Sequence, residues 1–193
     1  MAAGRVGPLL FGIQTNGLKH KGSDPMPSIG ERFAMAKAAG CFDYVDKTPD
    51  PDQIDDFIAA SVKYGLPVRA GGWFYQLGGD AGLLERNLAL GQRLGSVVHN
   101  VQVQLRHADG HVVSDEEVTA AYLDAAELGD RYGCVPCFEV HINMWSEDFT
   151  RVAKVGRMVE ARGVEFNMTL DHSHVIFKID NPGEQKVFDT AGK

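Results

Sequence analysis

The chain has 193 residues, 44% of them hydrophobic and 23% charged, the profile of one globular domain able to bury a substantial core. Its net charge of −7, with 19 scattered Lys and Arg, argues against a nucleic-acid-binding surface. No apolar run approaches the roughly eighteen residues of a membrane span, and Met1–Arg5 lacks the pattern of a signal peptide, so a cytoplasmic protein is expected.

A first strand is expected over Leu9–Gln14, followed by a loop rich in Gly and Pro from Gly17 to Pro27. Ser28 and Glu31 form a capping box that opens a helix, and Gly40 closes it. Cys41–Asp46 reads as the second strand. Its helix, Pro51–Tyr64, places Ile54, Phe57, Ile58 and Val62 at helical spacing and stops at Gly65. The third strand, Leu66–Ala70, runs on into Gly71-Gly72-Trp73-Phe74-Tyr75. A helix using Leu83, Leu84, Leu88 and Leu90 then ends near Gly95.

Val97–Val103 is the fourth strand. Ser114 with Glu117 makes a second capping box, opening a helix whose inner face is Val118, Ala121, Tyr122, Ala125 and Leu128. Val135–Ile142 is the fifth strand, and Ser146 is expected to cap the helix carrying Phe149, Val152, Val155, Met158 and Val159. Val164–Leu170 is the sixth strand, and the segment after Asn181-Pro182 reads as the start of a sixth helix. The pair Cys134-Val135-Pro136-Cys137 has redox spacing but opens a strand. It lacks the helix N-terminus that would activate a thiolate, so coincidence in a buried strand is the better reading.

Strict strand–helix alternation predicts a parallel sheet with helices outside it. A doubly wound sheet and a (β/α)₈ barrel both fit that pattern. The glycine fingerprint of a dinucleotide fold is absent after the first strand, where Gln14-Thr15-Asn16-Gly17 stands instead. Functional side chains recur at the strand C-termini: Gln14, Asp46, Trp73, Gln104, Glu139 and Asp171. That ring favours the barrel.

Two strand ends carry the chemistry. Cys137-Phe138-Glu139-Val140-His141 and Thr169-Leu170-Asp171-His172-Ser173-His174 each run through apolar residues and stop on a carboxylate, with an imidazole two or three positions on. Carboxylate oxygen and imidazole nitrogen on neighbouring strand ends are what a barrel needs for a divalent-metal site. The run from Trp73 to Tyr75 places three aromatic rings at the end of the third strand.

These residues resemble the xylose-isomerase-like barrel superfamily of sugar isomerases, sugar epimerases and related nucleases. Ala39–Asp46 is similar to the family's second strand, Glu139-Val140-His141 to its Glu-Asn-His at strand five, and Asp171–His174 to its Asp-x-x-His at strand six. The resemblance implies an incomplete (β/α)₈ TIM barrel over residues 1–193, ending before strands seven and eight. It implies that Glu139 and Asp171 bind a divalent metal (Mn²⁺, Mg²⁺, Co²⁺ or Zn²⁺). Glu139 would also exchange a proton with the substrate carbon, and His174, His141 and Trp73 would contact substrate.

The reaction implied is isomerisation or epimerisation of a sugar or related hydroxy-carbonyl compound through a metal-stabilised enediolate. Alternatives are a non-catalytic or partner-dependent barrel subunit, or a metal-dependent lyase of the same superfamily. A homo-oligomer or a completing chain is expected, with no nucleic acid and no membrane as partner. The strand ends Asp46, Trp73 and Gln104 lack the extra histidines of the nuclease branch. His99, in mid-strand, and His107 and His111, in the following loop, read as exposed polar residues.

Overall fold

The computed structural model describes residues 9–19 and 25–177. Six parallel strands form one sheet in chain order: β1 (Gly12–Gln14), β2 (Tyr44–Asp46), β3 (Val68–Tyr75), β4 (Val98–Val103), β5 (Val135–Val140) and β6 (Met168–Leu170). Helices α1 (Ile29–Ala39), α2 (Ile54–Tyr64), α3 (Leu83–Leu94), α4 (Asp115–Tyr132) and α5 (Phe149–Glu160) make the crossovers, and α6 (His172–Phe177) follows β6. The strand order never reverses, so the sheet is a curled half-barrel and not a doubly wound sheet. The helix expected after Asn181-Pro182 lies outside the described residues. Among the described residues, no helix is long and apolar enough to cross a membrane.

Local chemistry sets the helix limits. Both capping boxes form: the Ser28 and Ser114 side chains accept from the Glu31 and Glu117 amides, and the two glutamates reach back. Helix α4 ends on Gly133 at φ +67°, a left-handed conformation that costs a residue with a Cβ roughly 1–2 kcal/mol. Helix α5 is capped by Asp148, which accepts the Thr150 N–H at 2.8 Å, and not by Ser146. Ser146 is buried and committed to β5.

Two apolar clusters join the helices to the sheet. Phe33 and Ala36 of α1, Phe57 and Ala60 of α2, and Val45, Leu66 and Val68 make the first, where Phe33 meets Phe57 edge-on at 5.8 Å. Val62, expected in this stripe, is 79% exposed. It lies five residues from Phe57, about 140° round the helix. The second cluster packs Tyr122 and Val118 of α4 and Val155 and Val159 of α5 on Val101, Val103 and Phe138.

Strand six is shorter than expected, because Tyr122 Oη engages the backbone just before it. The hydroxyl donates to the Glu165 carbonyl and accepts from the Asn167 amide. The two neighbouring cysteines are inert by environment: burial raises both thiols, Cys134 to about 11.

His99 is 2% exposed, correcting its reading as a surface residue. Asn87 Nδ2 donates to Tyr75 Oη at 2.8 Å, and Tyr75 Oη in turn lies in hydrogen-bond contact with His99 Nε2 at 2.7 Å. Burial holds the imidazole neutral and lowers its pKa from 6.5 to about 4. Between those pH values the unfolded chain binds the proton and the folded chain does not, so stability falls on acidification. The expected loss attributable to His99 approaches roughly 3 kcal/mol by pH 4. Urea unfolding of wild type and His99→Gln at pH 7, 5.5 and 4.5 measures it. The two stability curves should diverge as pH falls, with wild type losing more.

Candidate functional site

A cleft of about 880 Å³ opens at the C-terminal ends of the strands, lined from every strand of the sheet. On β4 the alternation of a strand decides what reaches it. His99, Val101 and Val103 are buried against the helices, while Asn100 and Gln102 line the cleft. Gln104, the residue expected at this strand end, lies past β4 in an isolated bridge with Met144. On β5 the same period brings Glu139 and His141 to the cleft, with Glu139 only 7% exposed.

Ser146 holds this strand end in shape. Its hydroxyl donates to the Glu139 carbonyl at 2.6 Å and accepts from the His141 N–H at 3.1 Å. Gln102 Nε2 donates to Glu139 Oε2 at 2.5 Å, fixing the carboxylate's rotation. Thr169 Oγ1 donates to Asn100 Oδ1 at 2.5 Å, tying β6 to β4 across the floor.

Glu139, His141 and His174 each bring one ligand atom within 4.8 Å of the other two. The His141 and His174 ring centroids are 3.7 Å apart, and Phe74 meets His141 edge-on at 5.9 Å. His141 Nδ1 lies 2.6 Å from the Ile142 carbonyl. A carbonyl can only accept, so Nδ1 carries a hydrogen, and in the neutral ring Nε2 is then the nitrogen available to a metal. One carboxylate oxygen and two imidazole nitrogens suit zinc, cobalt or manganese, so a divalent ion fits this donor set.

Asp171 lines the same cleft but is not one of these three. Its Oδ1 accepts from Ser173 N–H at 2.8 Å and Ser173 Oγ at 2.7 Å, opening α6, and its Oδ2 stands 3.5 Å from His174 Nε2. Burial opposes its charge, but the Ser173 bonds and nearby His174 prevail and hold the carboxyl below its usual range. Trp73 lines the cleft, 36% exposed, but it is Phe74 that packs on His141.

The β2 end supplies the opposite wall. Burial first, and then the charge of Glu139, raises the Asp46 carboxyl above its ordinary range. Lys47 beside it donates to Asn16 Oδ1 at 3.2 Å, and burial and Arg32 lower its pKa. Gly71 brings this loop close. A Cβ there would overlap Thr48 Oγ1 and press on the Thr48 amide nitrogen at 3.3 Å, and Thr48 Oγ1 accepts the Gly72 N–H at 3.0 Å. Gly71→Ala is expected to cost about 1–3 kcal/mol by overpacking. Urea denaturation measures it, and an unchanged midpoint would contradict the close approach.

No protein-family model matches the sequence, and no curated protein matches it. Solved structures do match. Apo 3-keto-D-glucoside 4-epimerase from E. coli has TM-score 0.64 and 18% identity over 90% of this chain and 72% of that one. D-Allulose 3-epimerase from Methylomonas sp., in complex with D-allulose, has TM-score 0.68 and 18% identity over 95% and 69%. The IOLI protein with a bound zinc has TM-score 0.57 and 12% identity over 79% and 59%. The chain therefore has the fold of the xylose-isomerase-like TIM barrels, with six parallel strands among the described residues.

Proposed function

We propose that the chain is a divalent-metal-dependent epimerase or isomerase of a sugar or related hydroxy-carbonyl compound, acting by proton transfer at the carbon next to the carbonyl. The observation that carries the reading is the convergence of Glu139, His141 and His174 at one point of the strand-end cleft. Two structural neighbours that act as sugar epimerases support the substrate class, and a zinc-bound neighbour supports the metal.

Glu139, His141 and His174 would hold the ion, with Asp171 next to them. When bound, a divalent ion supplies Lewis acidity toward the substrate's oxygens. Glu139, its carboxylate oriented by Gln102, takes the proton from carbon. His174, flanked by Asp171, is placed to hydrogen-bond a substrate hydroxyl or carbonyl. Phe74 and Trp73 wall one side of the cleft. Epimerisation needs a second proton carrier on the other face of the substrate. Asp46, whose raised carboxyl keeps a proton more readily than an ordinary aspartate, is the group across the cleft from Glu139.

Incubating ketohexoses with the chain and Mn²⁺ in D₂O tests this by NMR. Wild type should wash deuterium into the carbon beside the carbonyl and form the epimer. Glu139→Gln should lose at least about 100-fold in both signals, a typical weight for a general base, with its circular dichroism unchanged. Asp46→Asn should keep deuterium wash-in and lose epimer formation. Wild-type exchange by Glu139→Gln at saturating metal would overturn the reading.

A second reading, a barrel subunit that works only with a partner or a second copy, is favoured by the open sheet. Among the described residues, strands β1 and β6 each have one neighbour; Leu9 and Phe11, just before β1, are 79% and 58% exposed, and Leu170 in β6 is 51% exposed. Such edges invite pairing. Sedimentation equilibrium checks the second copy: a dimer or larger assembly is expected, and a stable monomer would rule out self-association as the completing partner.

A further inference from the structure

Away from the cleft's trio, the loop between β4 and α4 gathers a second group of donors. His107, Asp109 and His111 each offer a ligand atom within 4.8 Å of the others. A tight hairpin assembles them. His107 N–H donates to the His111 carbonyl at 3.0 Å, Val113 N–H to Leu105 at 3.0 Å, and Arg106 bridges Val112 in antiparallel sense. His107 Nδ1 and His111 Nδ1 therefore face one oxygen, Asp109 Oδ1, at 3.2 and 2.5 Å. The two rings stack with centroids 4.7 Å apart and planes 22° from parallel.

Glu117 stands behind this group. Its Oε1 lies 2.9 Å from His111 Nε2. The glutamate is fixed as the third residue of the α4 capping box, accepting the Ser114 N–H at 2.7 Å and the Ser114 hydroxyl at 2.8 Å. The Ser114 amide first, and then His111, hold its carboxyl far below the ordinary range. A rigid carboxylate on the far nitrogen of an imidazole orients the ring and raises its basicity as a ligand.

We propose that His107, Asp109 and His111 form a second divalent-metal site, of zinc type, with Glu117 orienting His111 from behind. Donors around a tetrahedral zinc at 2.0–2.1 Å are separated by roughly 3.3 Å. The His107–Asp109 spacing of 3.2 Å meets that requirement as it stands. The 2.5 Å contact between His111 Nδ1 and Asp109 Oδ1 opens by about 0.8 Å to admit the ion. Water takes the fourth position.

The site would act as a clip on the rim. Ala108 N–H donates to the Leu77 carbonyl at 2.8 Å, and the His107 ring lies where a Cβ on Gly78 would be. The hairpin is thereby joined to the loop that follows β3, at the same end of the sheet as the cleft. An ion locks the hairpin that these contacts seat on the rim. This inference does not depend on the activity proposed for the cleft.

Calorimetric titration with ZnCl₂ tests it, using the full chain with His141→Ala and His174→Ala to silence the cleft. One zinc per chain should still bind. Adding His107→Ala and His111→Ala should abolish that binding. Adding Glu117→Gln instead preserves the capping box, because glutamine serves at that position, and should weaken zinc about 10–100-fold. Absence of zinc binding to the cleft-silenced chain overturns the proposal, as does binding that survives His107→Ala with His111→Ala.

Discussion

The cleft depends on the parallel register of β4, β5 and β6. Asn100 pairs with Cys137 and Glu139 with Thr169, so residues two apart on each strand reach the same level of the curled sheet. Gln102 then meets Glu139, and Asn100 meets Thr169. A slip of one residue between β4 and β5 would turn Glu139 toward the helices and Phe138 into the cleft, because side chains alternate along a strand. Phe138 blocks that slip. It is 1% exposed, packed on Tyr122 at 4.8 Å and on Trp145 at 6.4 Å, and has no place on the polar side. The apolar core outside the sheet thus fixes the chemistry inside it.

Polar groups refine what the core positions. Ser146 closes the turn after β5 by bonding the Glu139 carbonyl and the His141 amide, so the two cleft residues share one small anchor. The Ile142 carbonyl selects the His141 tautomer. Asp171 gives one oxygen to the start of α6, which carries His174 beside it. Each of these interactions is short-ranged and sits on a strand end or the first residues beyond it. A rigid sheet can therefore present a site whose parts come from loops.

Much of the architecture was legible because each junction carries its own chemistry. Ser28 with Glu31, Ser114 with Glu117, and Gly40 mark helix limits that need no tertiary information. Glu139 and Asp171 stood out because a carboxylate ending an apolar run is locally costly. Gln102 and Asn100 were not legible in this way: a polar residue in an alternating strand reads as solvent-facing, and only the curl of the sheet turns that face into a cleft. His99 was misread for the complementary reason, since its polar partners are distant in the chain: Tyr75 lies 24 residues from it, and Asn87 lies 12 from Tyr75. Ser146 looked like a cap because the cap and the strand-end anchor use the same hydroxyl chemistry.

The central claim is that the strand ends converge on one divalent-metal position. Anomalous diffraction from crystals of the chain soaked in MnCl₂ measures this most directly. The account predicts a manganese peak bounded by Glu139, His141 and His174, with Asp171 as its nearest remaining carboxylate. A map with no peak in the cleft at saturating manganese would contradict it.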